Sequence, residues 1–357
     1  MRGAFALIAL LSIFWPGLVF SALKVEQLKS RLYPEKADDF ATPLIVGTPA
    51  NVALRINNWL QYSQLGLIDG KYTRSPFEKQ DPETGTVGLS YSVLDQAPGY
   101  LSLELNDYYM GAHPSYSSRP VVFDLQSGER IELVDLLTPA AMGRLDKRML
   151  RARLAAIDEL LKRPDRADSS PGSDDGHEDS ETQRSSYREC RVRMIRGKLT
   201  RNDFYLAGGK LTLLQGCEFP HVIQALDDLM DLPYSETYAE LAPGLTSYGR
   251  CLLLSQQTDC DLRATTGLHD GLYVGELGDK LPISLMIFGD GQPFYFYNRD
   301  KQHIPLTLTR MGTGHILLRL DPADGGSEVF DLRVTADGSL SGSWTQGGRE
   351  KLPVTLH

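Results

Sequence analysis

YLSLELNDYYMGAHPSYSSRPVVFDLQSGERIELVDLL, residues 100–137, is the stretch that decides the fold of the first half of this chain. Its short apolar runs at 101–105, 121–125 and 131–133 predict three strands. Gln126-Ser-Gly128 has the residue types of a tight turn, so it joins the second strand to the third. The segment 110–114, Met-Gly-Ala-His-Pro, connects the first strand to the second.

Patterns on both sides of this stretch predict an antiparallel sheet packed against helices. Apolar residues alternate with small or polar ones over 87–93, as in a half-buried strand, and 203–214 predicts a hairpin that turns at two glycines. Thr48-Pro49 and Thr138-Pro139 each place a capping hydroxyl before a proline, which is typical of a helix start. The N-terminal half is therefore predicted to have an α+β fold.

From Gly271 onward the pattern changes to short strands that are separated by turn residues. The predicted strands lie at 272–275, 283–288, 294–297, 304–309, 315–320, 328–334, 340–344 and 352–356. This spacing predicts an all-β antiparallel meander, closed or half-closed into a small barrel. One strand, Phe-Tyr-Phe-Tyr at 294–297, is expected to contribute alternate rings to the barrel core.

These patterns divide the chain into a leader, two domains and a connector. Residues 1–21 resemble a signal peptide, because Arg2 precedes an apolar run that is too short to span a bilayer and small residues follow it. An uncleaved anchor or a buried helix is the alternative. The α+β domain covers 22–241 and contains an acidic insertion at 165–186 that is predicted to be disordered. A connector at 242–268 leads to the meander at 269–357.

The cysteine count agrees with export. Cys190, Cys217, Cys251 and Cys260 form an even set, as expected of a chain in an oxidising compartment. Four cysteines allow three connectivities, and we favour Cys190–Cys217 with Cys251–Cys260 because each bridge then closes a short loop. Together with the leader, this predicts a periplasmic or secreted protein whose mature form has no membrane span.

The net charge and the absence of known catalytic motifs argue against several classes of function. The formal net charge of −9 argues against a nucleic-acid partner, which would need a basic face. The sequence contains no GxSxG, HExxH, SxxK or phosphate-binding glycine pattern, and its histidines and cysteines lack metal-ligand spacing. We therefore predict a protein that is not an enzyme and that uses no cofactor or metal, although a site built from distant residues stays an open alternative.

The candidate binding residues lie between the first two strands of the opening stretch. They are Tyr108, Tyr109, Met110, Gly111, His113 and Tyr116. Tyrosine and histidine rings give a large contact area at a low entropic cost, which suits recognition of a partner. The alternative is structural: Gly111 would permit a bulge, and His113 would bond to a turn carbonyl.

The same stretch resembles a bacterial envelope domain. That domain forms the extracellular part of a lysozyme-binding anti-sigma factor and the N-terminal part of some peptidoglycan deacetylases. The resemblance rests on the motifs Ile56-Asn57, Leu101-Ser-Leu103, Tyr109-Met-Gly-Ala-His-Pro114, Phe123-Asp-Leu125, Ser127-Gly128 and Leu133-Val-Asp-Leu136. Met110 stands where the family has a glycine, and Ser127 stands where it has a threonine. The meander is similar to small lipocalin-like or avidin-like accessory domains.

The resemblance implies an exported, non-catalytic binding protein of the cell envelope that recognises a protein or a peptidoglycan-related partner. The partner class that it suggests is a lysozyme-type wall hydrolase. Two alternatives stay open at this point. One is a wall-modifying hydrolase with dispersed catalytic residues, and the other is a small-ligand carrier that uses the C-terminal barrel.

Overall fold

The computed structural model describes residues 24–28, 40–47, 49–68, 86–111, 114–163, 175–197, 203–261, 268–278, 280–288, 291–312, 314–320, 327–347, 349 and 351–357. The predicted signal peptide, His113 and the first part of the predicted insertion, 165–174, lie outside these residues. Within them the predicted fold class is confirmed: small antiparallel sheets and helices precede an antiparallel barrel. No helix of the described residues is long and apolar enough to cross a membrane.

The N-terminal part contains three small antiparallel sheets. Their strands are β1 Lys24–Leu28 and β2 Thr42–Val46, then β3 Thr86–Gln96, β4 Tyr100–Met110 and β5 Pro114–Asp124, then β6 Asp203–Ala207, β7 Lys210–Leu214 and β8 Tyr234–Thr237. The helices are α1 Ala50–Leu65, α2 Leu133–Leu136, α3 Pro139–Leu161, α4 Asp175–Arg196, α5 Tyr238–Leu241 and α6 Ser247–Arg250. Short 3-10 helices cover His221–Leu226 and Ala242–Gly244, and a π-helical turn covers Cys251–Ser255.

Strands β4 and β5 form one long hairpin, paired from Tyr100 opposite Asp124 to Met110 opposite Pro114. The two predicted strands are confirmed, but both extend beyond their apolar runs, so that most of the predicted connecting loop belongs to the strands. The third predicted strand, 131–133, is wrong. The chain enters α2 there because the main-chain N–H of Glu132 donates to the Asp135 carboxylate at 2.7 Å, which caps the start of a helix.

The predicted helix start at Thr138-Pro139 is confirmed, whereas α1 has Pro49 itself at the N-cap without a side-chain cap, and Thr48 lies outside the described residues. In α3 the Thr138 hydroxyl accepts a hydrogen bond from the N–H of Ala141 at 3.3 Å, with Pro139 in the first helical position. Helix α1 begins at Ala50 and ends before Gly66, whose φ of 64° is the left-handed conformation that glycine adopts at helix ends.

The predicted disordered insertion is wrong for residues 175–186, which belong to α4. Low hydropathy suggested disorder, but the C-terminal half of this helix packs against α3. Tyr187 and Cys190 are buried there, and Cys190 forms a disulfide with Cys217. Tertiary contacts and a covalent bond thus stabilise a helix that its own sequence would leave marginal.

The segment predicted as a connector, 242–268, packs in its described part into the core of the α+β domain. Leu245, Tyr248 and Leu252 are buried against α2, α3 and the β3–β5 sheet. The disulfide Cys251–Cys260 lies in this segment, and both disulfides have the predicted pairing. The two disulfides fit an extracellular or periplasmic protein.

The C-terminal part is a nine-stranded antiparallel sheet in the order β12-β11-β10-β9-β17-β16-β15-β14-β13. Its strands are β9 Gly271–Leu277, β10 Leu281–Ile287, β11 Phe294–Tyr297, β12 Ile304–Pro305, β13 Thr307–Gly312, β14 His315–Leu320, β15 Glu328–Val334, β16 Leu340–Gln346 and β17 Leu352–Leu356. The predicted strand 304–309 is interrupted at buried Leu306, so the two ends of the sheet are neighbours in sequence. The sheet is therefore a nearly closed barrel.

Helix α1 lies between the β3–β5 sheet and the outer wall of the barrel. Its residues Ile56, Trp59 and Leu60 share one core with Leu103 of the sheet and Phe294 of the barrel. Both faces of β11 are consequently buried: Tyr295 points into the barrel core, whereas Phe294 and Phe296 belong to the shared core. The alternate-ring prediction for this strand is confirmed.

Candidate functional site

The predicted binding residues lie at the tip of the β4–β5 hairpin. Tyr108 and Tyr109 are at the end of β4, together with Met110, and Tyr116 is near the start of β5. All four side chains are exposed, at 41%, 38%, 54% and 47% of their full area. Gly111 is also exposed, with no atom within 4 Å of a Cβ added there. The described candidate residues therefore lie at one hairpin tip but on two faces, since Tyr108, Met110 and Tyr116 share one face of the sheet and Tyr109 points to the other.

Tyr108 and Tyr116 are directly opposite each other in the hairpin, and their ring centroids are 5.1 Å apart. The Tyr116 hydroxyl donates to the Asn106 side-chain oxygen at 2.6 Å, which fixes the ring on this face of the sheet. Side chains of adjacent strands that face each other in this way stabilise the pairing of the strands. The tip is consequently a preorganised aromatic surface, since its rings are ordered without any partner.

Acidic side chains lie beside this aromatic pair. Burial raises the pKa of Tyr116, and the negative charges of Glu104 and Asp231 raise it further. The pKa of Asp231 is itself raised by burial and by Glu104 and Asp227. A negative charge close to an exposed aromatic tip favours a partner with a positively charged surface.

A second feature, which the sequence did not suggest, is a cleft of about 290 Å³ between the α+β domain and the barrel. We call it the junction cleft. It is lined by Trp59, Tyr62, Ser63, Arg119, Arg130, Asp270, Phe288, Gly291 and Gln292. Helix α1, strand β5, the turn before α2 and the barrel each contribute part of this lining, and so no single segment of the sequence encodes it.

Two arginines lie over the ring of Trp59 in the junction cleft. The guanidinium carbons of Arg119 and Arg130 are 5.3 and 5.2 Å from the ring centroid, within the range of a cation–π contact. Tyr62 and Phe288 form a further wall, with their rings stacked at 5.2 Å. The cleft therefore combines positive charge with flat apolar surfaces.

The two arginines differ in how their charge is compensated. Arg130 forms an ion pair with Asp270, with Nη1 and Oδ2 3.0 Å apart. Arg119 forms no ion pair within the described part of the chain, although Asp107 acts on it from the same face of the sheet. Burial and the neighbouring charge of Arg130 lower the pKa of Arg119.

A signal for Arg119 is present in the sequence. Arg119 lies two and four positions before Val121 and Phe123, which face the shared core, so in a strand its side chain is on the same inward face. A charged residue on the inward face of a strand, next to alternating apolar residues, is a candidate functional residue. Trp59 and Phe288 offered no such signal, because an aromatic ring on the apolar face of a helix or at the end of a strand is typical of a packed core.

The barrel interior bears on the carrier alternative. It is filled by large side chains that include Tyr295, Phe330 and Trp344. Glu328 is buried among them and accepts hydrogen bonds from the Tyr295 hydroxyl, from Trp344 Nε1 at 3.3 Å and from Gln346 Nε2 at 3.0 Å. This arrangement is a packed core with a satisfied carboxylate.

Within the described residues, no group of three histidine, cysteine, aspartate or glutamate side chains is placed to hold a metal ion. Two histidines contact carboxylates. His269 Nδ1 is 3.8 Å from Asp135 Oδ1 in a buried pair, and His315 Nε2 is 2.7 Å from Asp331 Oδ1 on the surface.

Comparison of the chain with models of known protein families and with curated protein sequences gives no match.

Proposed function

We propose that this chain is an exported binding protein of the cell envelope that engages a protein partner through the tip of the β4–β5 hairpin. The observation that carries the proposal is the cluster of exposed side chains Tyr108, Met110 and Tyr116 on one face of the hairpin tip, with Tyr109 exposed on the other face. Contiguous exposed apolar side chains on a soluble surface are characteristic of interaction sites.

The composition of the tip supports a role in recognition. Tyrosine provides a large, amphipathic contact surface and loses few rotamers on binding, and tyrosine is enriched among residues that dominate binding energy. The pairing of Tyr108 with Tyr116 reduces the ordering cost further, because the rings are already held in contact.

The chemistry of the partner follows from charge and from the resemblance. Glu104 and Asp231 beside the tip, and the net charge of −9, favour a positively charged protein. The resemblance to the lysozyme-binding envelope domain suggests a lysozyme-type wall hydrolase as that protein. The chain would then recognise or inhibit the hydrolase without acting on the wall itself.

Isothermal titration calorimetry with a panel of basic lysozyme-type hydrolases tests the proposal. We expect at least one to bind with a Kd below tens of micromolar, corresponding to roughly 6 kcal/mol or more. The double variant Tyr108→Ala/Tyr116→Ala should weaken this binding at least tenfold, because interface tyrosines commonly contribute more than about 1 kcal/mol.

Met110→Ser and Met311→Ser are a matched pair of controls. Both methionines are exposed to a similar extent, 54% and 57%, but Met311 lies on the β13–β14 hairpin of the barrel. Met110→Ser should weaken binding and Met311→Ser should not. Lack of binding to every hydrolase tested, or equal effects of the two substitutions, would overturn the proposal, as would turnover of peptidoglycan by the purified protein.

A further inference from the structure

We propose that the junction cleft binds a small carboxylate ligand that carries a single ring, aromatic or sugar, with Arg119 as the residue that binds the carboxylate. Nothing in the proposed role of the hairpin tip requires this site. Two features of the cleft support it, namely its charge and the rings in its walls.

The charged residues that line the cleft have a net charge of +1. Arg119 and Arg130 supply two positive charges, and Asp270 supplies one negative charge that is already bound to Arg130. The guanidinium of Arg119 presents donors in a fixed planar fork, which matches the two oxygens of a carboxylate. A monoanion therefore complements the cleft better than a neutral ligand or a dianion.

Asp107 does not take the place of such a ligand. It lies two positions along β4 from Leu105, the residue opposite Arg119, and so faces the same side of the sheet. Burial, the largest effect, and Arg130 lower the pKa of Arg119, and the charges of Asp107 and Asp203 raise it, but neither carboxylate forms an ion pair with Arg119 within the described residues. Within the described residues, the donors of Arg119 are thus available to a ligand.

The walls of the cleft favour a ring. Tyr62 and Phe288 are partly exposed and stack on each other, whereas Trp59 lies under the two arginines with its ring centroid 6.4 Å from that of Phe288. Aromatic faces pack equally against other aromatic rings and against the apolar face of a sugar ring. The volume of about 290 Å³ is at the lower end of the range for ligand pockets, about 300–1,000 Å³, and suits a ligand of one ring.

Two lining residues of the cleft contain a buried donor without a hydrogen-bond partner in the described part of the chain. Trp59 is only 2% exposed, and its Nε1 has no such partner, although a buried indole N–H normally has one. Nε of Arg130 is likewise buried without a partner in the described residues. Both atoms are shielded from solvent, so they lie behind the surface of the cleft and add no donor to it.

Ligand titrations with the full chain test this inference. The probes are benzoate and glucuronate, which carry a carboxylate on an aromatic ring and on a sugar ring, and their uncharged counterparts benzyl alcohol and glucose. We expect at least one acid to bind with a Kd below about 10 mM and its uncharged counterpart at least tenfold more weakly. The acid that binds identifies which kind of ring the cleft accepts. The indole N–H resonance that is missing from Trp59→Phe should shift on binding.

Three substitutions decide whether binding occurs in the junction cleft. Arg119→Gln should weaken binding of the acid at least tenfold. The exposed rim substitution Gln292→Glu should also weaken it, because it adds a negative charge without removing a buried group. Arg310→Gln, which removes an exposed arginine of the barrel, should leave binding unchanged.

The following results would overturn the inference: no binding of either acid, equal affinity for an acid and its uncharged counterpart, or normal affinity in both cleft variants. Gln292→Glu keeps the test decisive if Arg119→Gln fails to fold. Failure here would leave the hairpin tip untouched, since Tyr108, Met110 and Tyr116, which the test of the tip changes, lie on the face of the β3–β5 sheet opposite to Arg119.

Discussion

Arg55 of α1 and Glu129 of the turn after β5 form a buried ion pair, with Nη1 and Oε1 3.1 Å apart and side chains only 9% and 4% exposed. The same guanidinium donates to the main-chain oxygen of Ser127 at 3.3 Å and, through Nη2, to that of His357 at 2.6 Å. One side chain therefore connects the helix, the β5 turn and the end of the last barrel strand. This connection adds to the shared core and to the Arg130–Asp270 pair in the contact between the α+β domain and the barrel.

Arg55→Met should lower the free energy of unfolding by about 3–5 kcal/mol, because it removes the positive charge that is paired with the buried carboxylate of Glu129. Arg188→Met removes an exposed pair with Glu181 and should change the free energy by less than about 1 kcal/mol. Urea denaturation followed by circular dichroism compares the two. Equal effects would show that the buried pair does not hold the two parts together.

Gly249 of α6 lies against the backbone of α2. A Cβ added at this position would be 2.3 Å from the carbonyl oxygen of Leu136, so Gly249→Ala forces two backbone segments apart. We expect it to lower the free energy of unfolding by about 1–3 kcal/mol, as overpacking does.

Gly143 provides the opposite case within the same domain. It is exposed in α3, and nothing lies within 4 Å of its added Cβ. Gly143→Ala should raise the free energy of unfolding by about 0.5–1 kcal/mol, since glycine is the less favourable residue in a helix interior. The same denaturation measurement applies to both variants, and a stabilising Gly249→Ala would contradict the close approach of the helices.

The two disulfides should contribute unequally. The bridge Cys190–Cys217 spans 27 positions and Cys251–Cys260 spans 9. In the chain-entropy description, replacing the longer bridge by two alanines should cost about 3.5 kcal/mol and the shorter one about 2.5 kcal/mol. Denaturation of the two double variants at equal pH measures the difference. A larger loss for the shorter bridge would indicate that native packing around Cys251 outweighs the entropy of the unfolded chain.

The domain junction should impose a pH dependence on stability through Glu132. Burial raises the pKa of this carboxyl, and the negative charges of Asp270 and Asp135 raise it further, against the opposite effects of Arg130 and His269. A carboxyl whose folded pKa exceeds its unfolded value destabilises the fold when it is ionised. Ionised Glu132 therefore lowers the free energy of unfolding to its full extent at pH values above the folded pKa. This loss disappears as the pH falls towards the pKa of the unfolded chain.

Glu132→Gln should accordingly be more stable than the unaltered protein at pH 7, with a difference that narrows as the pH falls. Glu240→Gln is the control of opposite sign. Hydrogen bonds from Thr237 lower the pKa of Glu240, so its contribution is favourable above the unfolded pKa and is lost at lower pH. Urea midpoints measured from pH 7 to pH 4 distinguish the two, and parallel pH profiles would contradict this assignment.

Much of the fold was predictable because short sequence patterns indicate its helices and strands. The alternation at 87–93, the two glycines of the 203–214 hairpin and the Thr-Pro start of α3 all act over a few residues. The errors arose where distant contacts outweigh local preference. Helix α4 is stabilised by α3 and a disulfide. Residues 131–133 do not form a strand, because the capping hydrogen bond of α2 starts a helix there.

The two candidate sites differ in the same way. The hairpin tip is contiguous in sequence, so its residues could be predicted. The extension of its two strands beyond their apolar runs could not be predicted. The junction cleft joins Trp59, Arg119 and Phe288, which come from three separate segments, and only Arg119 carried a detectable signal.

The sequence by itself determined the order of the two folds along the chain and the kind of those elements that have a clear local pattern, since periodicity and turn chemistry are properties of neighbouring residues. It also favoured the observed pairing of the cysteines, because that pairing closes short loops. The tertiary structure alone decided that α1 is enclosed between sheet and barrel and that two arginines meet over one tryptophan. The physical reason is that burial of apolar faces is not directional: a local pattern shows which face must be covered, and only the packed chain shows what covers it.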